Sequence, residues 1–152
     1  MQRQIIPGVI DGQQALCTLP GDATAQAAAE LMAERRIGAI LVVEDDALLG
    51  IVTERDVVFR VIAKSRAADA TLLSEVMTPQ PETLSPQDTA MSALEKMQAG
   101  RYRHLPVLRD DKVCGMVSIR DIYEAVRHHL QEELRGAEAL IYGDQYGAST
   151  ST

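Results

Sequence analysis

Two short strings carry the residues most able to do chemistry. Thr53, Arg55 and Asp56 stand in Gly50-Ile51-Val52-Thr53-Glu54-Arg55-Asp56-Val57, and Ser118, Arg120 and Asp121 stand in Gly115-Met116-Val117-Ser118-Ile119-Arg120-Asp121-Ile122. Each reads as a strand that runs through a hydroxyl residue into a helix. Hydroxyl and carboxylate three apart form a capping box, in which the acid folds back on the N-cap amide. The same geometry suits a ligand. A carboxylate at the third helical position can accept both hydroxyls of a ribose diol, and a hydroxyl beside free helix amides suits a phosphate. An arginine in a first turn opposes the helix dipole, at a cost of a few tenths to ~1 kcal/mol, unless an anion is bound there. Both strings contain one. Neither supplies a nucleophile with a base, nor a paired acid and base.

The strings are one register of a longer duplication. Offset by 65 residues, Thr18–Val57 aligns with Thr83–Ile122 without a gap, with 15 identities in 40 positions, among them Thr24 with Thr89, Met32 with Met97 and Arg36 with Arg101. The chain is therefore expected to be two similar halves with a shared interface.

Each half must provide the elements that place these residues. In the first, Leu16–Leu19 is expected as a short strand and Ala23–Arg36, capped by Asp22, as a helix that Gly38 ends. The apolar run Ala39–Val43 is expected as a strand buried on both faces. An acidic turn at Glu44–Asp46 then leads to the strand ending at Thr53, and a helix covers Glu54–Lys64. The second half repeats the order, with Ser85-Pro86-Gln87-Asp88 as the start of a helix that reaches about Gln98. Between them Leu72–Met77 forms a short helix, and Pro79 and Pro81 force an extended approach. The proline of His104-Leu105-Pro106-Val107-Leu108 suits an edge position. The last helix covers Ile119–Leu140 with an apolar stripe at Tyr123, Val126, Leu130 and Leu134. Residues 1–15 read as a short segment covering an open edge, and 143–152, rich in Gly, Ser, Thr and Ala, as disordered.

A chain of 152 residues with formal charge −7 can bury a core and is poorly suited to nucleic acid or an anionic membrane. It has neither an apolar run of about 18 residues nor a secretory start, which points to the cytoplasm. Cys17 and Cys114 lack a paired spacing, and His104, His128 and His129 lack a zinc-type one, so no metal is assigned. Against the acidic background Arg101, Arg103, His104 and Arg109 cluster at the entry of a strand, within expected reach of Arg120.

Taken together, the duplicated strings, Ile37–Val43, Val76-Met77-Thr78-Pro79 and Gly100–Val107 resemble a tandem pair of cystathionine β-synthase (CBS) domains, over roughly residues 10–130. The resemblance implies an α/β fold of the α+β type. It would consist of two β-α-β-β-α repeats related by a pseudo-twofold, with small mixed sheets flanked by helices, at 1–65 and 71–130, followed by a helical extension at 131–142. It further implies a non-catalytic receptor for AMP, ADP, ATP, NAD(H) or S-adenosylmethionine in two clefts; the two arginines favour the anionic nucleotides and NAD(H). On that resemblance Asp56 and Asp121 would hold ribose, and Thr53, Arg55, Ser118 and Arg120 would face phosphate. Thr18, Leu19, Ile37, Gly38 and Ala39 would line one adenine pocket. Thr83, Leu84, Arg101, Tyr102, Arg103, His104 and Pro106 would serve the other, with Met77 and Pro79 nearby. The first half has Ile37–Leu41 where the second has Tyr102–Pro106, which weakens the expectation of phosphate binding in the first cleft. A homodimer forming a disc of four domains is implied, with an effector protein as a further partner. A docking module with empty sites is the alternative.

Overall fold

The structure, a computed structural model, describes residues 3–147. Its elements run β1 (Thr18–Leu19), α1 (Ala25–Arg35), β2 (Ala39–Glu44), β3 (Ala47–Thr53), α2 (Glu54–Asp56, continuing as a π-helix over Val57–Ile62), α3 (Leu73–Val76) and β4 (Thr78–Pro79). They continue with α4 (Ala90–Gly100), β5 (His104–Arg109), β6 (Lys112–Ser118) and α5 (Ile119–Gly147). One sheet has the order β1-β2-β3-β4, and the other pairs β5 with β6. The mixed α/β architecture of small sheets flanked by helices is the one expected.

Local chemistry repeats at the 65-residue offset. Thr24 and Thr89 cap α1 and α4, each hydroxyl accepting from the amide three residues on at 3.1 Å. The expected caps Asp22 and Ser85 are displaced. Ser85 and Asp88 instead close a turn before α4, Ser85 N–H donating to Asp88 Oδ2 at 2.9 Å. Arg36 and Arg101 take the left-handed position that ends each helix, at φ 54° and 57°, the first in place of the expected Gly38. The acidic turns place Asp45-Asp46 and Asp110-Asp111 at positive φ, matching the strand twist of a tight hairpin. Both hairpins shift register at the same point, after Val42 and after Val107.

The run Ala39–Val42 has no exposed surface. One of its faces, Ile40 and Val42, packs with Val52 on Ala28 and Met32 of α1. Its other face, Ala39 and Leu41, packs with Ile51 against Val113 and Met116 of β6. The second face is the contact between halves, and it explains a strand apolar on both sides. In β5, the Pro106 carbonyl accepts from Leu84 N–H at 2.9 Å. Its missing donor therefore faces that single bridge, while β6 pairs on the other side.

The N-terminal segment is more than an edge cover. Grouped by sequence with the first half, it packs Ile5 and Ile10 into the second half's core beside Leu84, Met97 and Ile122. The connection between halves does the reverse, with Leu73 buried against Ile40 and Val52. Matching backbone bonds fix both: Ala25 N–H to Thr71 O and Ala90 N–H to Arg3 O, each 2.8 Å, and Leu73 N–H to Ala23 O (2.9 Å) with Ile5 N–H to Asp88 O (2.8 Å). Each half is thus completed by the segment that precedes the other.

The last helix is longer than expected. It includes 143–147, while the rest of the expected tail, 148–152, lies outside the described residues. Leu130 and Leu134 of its stripe are exposed, at 58% and 61%. No described helix is long and apolar enough to cross a membrane.

Ile5 is wholly buried, so Ile5→Ala is expected to destabilise by about 2–5 kcal/mol. At about 2–4 °C per kcal/mol for a chain of this size, a thermal melt reads the loss directly. A segment that merely lies over an edge would leave the melt unchanged.

Candidate functional site

Both hydroxyl–carboxylate pairs form capping boxes. Thr53 N–H donates to Asp56 Oδ2 at 2.9 Å and Asp56 N–H to Thr53 Oγ1 at 3.2 Å; Ser118 N–H donates to Asp121 Oδ2 at 2.8 Å and Asp121 N–H to Ser118 Oγ at 3.2 Å. Capping and ligand binding are compatible, because each box uses one carboxylate oxygen. The remaining oxygens differ. Asp56 Oδ1 lies 3.6 Å from Arg60 Nε. Asp121 Oδ1 has no hydrogen bond or ion pair among the described residues. Arg60 also donates from Nη1 to Val76 O (3.0 Å) and Met77 O (3.1 Å), so it ties Asp56 to the end of α3. Its counterpart at the 65-residue offset is the buried Ala125.

Two cavities open beside these helix starts. The larger, about 890 Å³, joins Ser118, Arg120 and Asp121 to Arg36, Ile37 and Gly38, with Ala29 and Met32 of α1 and Gln14 also in its wall. The smaller, about 140 Å³, joins Thr53, Arg55 and Asp56 to Arg101, Tyr102, Arg103 and His104, with Thr78 of β4. Each cavity pairs the helix start of one half with the strand entry of the other. Ile37 and Gly38 thus share a cavity with Asp121, and Tyr102, Arg103 and His104 share one with Asp56. The arginine cluster is split accordingly: Arg101 faces Asp56, Arg103 reaches both cavities, and Arg109 lines neither.

Eight expected residues lie outside both walls. Ala39 and Pro106 are buried in β2 and β5, Leu84 is buried at its bridge to Val107, and Leu19 and Met77 pack on the first core. Thr18 and Pro79 are exposed, and Thr83 offers its carbonyl to Lys96 Nζ at 2.8 Å. The crossed geometry brings in Glu54, Val57, Met116 and Ile119, which the helix starts in the sequence already flanked. Among the described residues no group of His, Cys, Asp and Glu has a metal-binding arrangement.

Glu54, Gly38, Arg103 and His104 belong to both walls. Gly38 O accepts from Glu54 N–H at 3.0 Å and Arg103 O from Ile119 N–H at 2.8 Å, so each helix start is pinned to the strand entry of its own half. Burial holds the His104 imidazole below its usual pKa; Glu54 and Asp121 pull it up and Arg103 pushes it down. Because the neutral ring is favoured on folding, the unfolded chain binds the extra proton between the folded value and the ordinary one near 6.5. His104 thus contributes stability that is fully present above about pH 6.5 and falls as pH drops through that window. In melts across pH 5–7, His104→Asn is expected to flatten this fall; an unchanged profile would show that His104 does not cause it.

Comparison with known proteins completes the description. Residues 1–63 and 73–128 match the family model of the CBS domain. A relative from Arabidopsis thaliana, CBS domain-containing protein CBSX3, mitochondrial, is 37% identical over 138 residues, 88% of this chain. The chain spans 66% of that relative's length, and 20% of a second one, CBS domain-containing protein CBSCBSPB3 from the same plant. A solved signal-transduction protein with CBS domains from Burkholderia ambifaria superposes with a TM-score of 0.76 at 33% identity, covering 81% of this chain and 93% of the other. The CBS domain protein PAE2072 of Pyrobaculum aerophilum, complexed with AMP, superposes at 0.65 with 27% identity over 71% of this chain and 83% of that one.

Proposed function

This chain belongs to the CBS-domain family, and we propose that it is a non-catalytic regulatory module that binds an adenosine-containing ligand in the clefts between its halves. AMP, ADP, ATP and NAD(H) are the ligands its charge favours, which makes it a sensor of energy or redox state. One observation carries the reading. Asp121 keeps an oxygen free at the mouth of an 890 Å³ cleft that also holds Arg36, Arg103 and Arg120. A free carboxylate oxygen accepts from ribose hydroxyls, and three guanidiniums around a helix start receive phosphates. The AMP-bound relative supports this choice of ligand class.

In this reading Asp121 and Asp56 hold ribose, and Ser118 with Arg120, and Thr53 with Arg55, face phosphate. Ile37 and Gly38 line the larger cleft, and Arg101, Tyr102, Arg103 and His104 the smaller. A sensor must bind two states of itself or of its partner unequally, and the shared interface of the halves is the element a ligand there would bias.

The chain works as a homodimer in this proposal. Val58 and Tyr123 occupy the same position in the two halves and are 51% and 60% exposed, and Phe59 and Ile62 extend the apolar face. Covering that face by a second copy accounts for large apolar side chains left in water. A docking module with empty sites is the second reading, favoured by Leu134, Leu140 and Ile141, which are exposed where α5 leaves the body.

Asp121→Ala is expected to weaken nucleotide binding by about 1.5–3 kcal/mol, the range for hydrogen bonds to a charged group. Thermal melts with AMP, ADP, ATP, NAD⁺ and NADH test it: saturation at 100 times Kd stabilises by ~2.7 kcal/mol, and the variant loses that shift at the same concentration. No shift with any of them favours the docking module. Separately, Tyr123→Glu is expected to yield a monomer by light scattering; a wild type that is itself monomeric refutes the dimer.

A further inference from the structure

The 65-residue offset makes the two clefts counterparts, residue for residue. Thr53, Arg55 and Asp56 answer to Ser118, Arg120 and Asp121, and Arg101 answers to Arg36. The cavities nevertheless differ from about 140 to about 890 Å³. Sites that hold small molecules occupy roughly 300–1,000 Å³, so only the larger falls in that range.

The difference traces to named side chains. Where the larger cleft has Ile37, the smaller has Tyr102, while Gly38 and Arg103 line both. The Tyr102 ring lies directly over Gly100, where any Cβ would overlap it. In the smaller cleft, moreover, the second oxygen of Asp56 already faces Arg60, whose guanidinium is fixed by two carbonyls at the end of α3. The larger cleft has Ala125 at that place, and Asp121 is left for a ligand.

We propose that each chain holds one nucleotide rather than two, in the Asp121 cleft, and that Tyr102, with Arg60 on Asp56, closes its counterpart. This rests on the functional reading above and adds which cleft serves and what decides it. The ligand is a nucleoside phosphate: ribose at Asp121, base against Ile37 and Gly38, and phosphate toward Arg120 with Arg36 and Arg103 at hand.

Equilibrium dialysis of the full chain against labelled AMP tests it. The expected result is one AMP per chain, with affinity at least tenfold weaker in Asp121→Ala. Replacing Tyr102→Ile is expected to raise the number to two. Since Tyr102 lies on Gly100, a second variant guards against misfolding: Ile37→Tyr, at a half-buried position, is expected to abolish binding while the ligand-free protein still melts cooperatively. Two AMP per wild-type chain, a single AMP that survives Asp121→Ala, or undiminished binding in Ile37→Tyr would overturn this inference and leave the functional reading standing. Failure of AMP to bind wild type, with no melting shift from the other nucleotides, would remove both.

Discussion

The structure depends on a sheet that has two apolar faces. Ala39, Ile40, Leu41 and Val42 are fully buried, two toward α1 and two toward the opposite half. A half taken alone would expose one of those faces to water, at roughly 25 cal/mol for each Å² of apolar surface. The halves must therefore meet sheet to sheet. That contact sets each helix start against the other half's strand entry, and the clefts follow from it. The site is a consequence of how the core is covered.

The same logic governs the leading segments. Arg3–Ile10 and Thr71–Met77 sit on opposite halves through matching backbone bonds, each supplying a buried side chain, Ile5 or Leu73, that the half beneath it lacks. Gly50 shows how close this approach is: a Cβ there would lie 2.5 Å from Met77 Sδ and 2.7 Å from Thr78 O. The connection between halves is consequently a wall of the smaller cleft through Thr78, and Arg60 fastens it to Asp56. Cavity, linker and core are one mechanical unit around the first helix start.

Symmetry accounts for the shared design, and its breaking accounts for the differences. Capping boxes, left-handed helix ends and acidic hairpins repeat because the residues that need them repeat: Thr24 with Thr89, Arg36 with Arg101, Asp45-Asp46 with Asp110-Asp111. Where the halves diverge the consequences are local. His104 stands where the first half has Ala39, and becomes a half-buried titrating group between two carboxylates and a guanidinium. Leu84 makes only a bridge where Leu19 makes part of a strand.

Periodicity, the duplication and the turn residues by themselves determined the order of elements, the double burial of Ala39–Val42, the capping boxes at Thr53 and Ser118, and the family. These depend on neighbours a few residues apart, or on an offset visible in one dimension. The tertiary structure alone decided which segments face each other. Asp22 and Ser85 were plausible caps until the leading segments took the backbone ahead of α1 and α4, and Thr24 and Thr89 became the caps. Ile37 shares a cavity with Asp121 and Tyr102 one with Asp56, each the aspartate of the other half, because the sheet contact crosses the halves. Leu84, Pro106 and Ala39 carried the right types for a pocket, but β2, β5 and the bridge to β5 hold them in the core. That two like sequences border cavities of about 890 and about 140 Å³ depends on packing across the halves, which no offset along the chain contains.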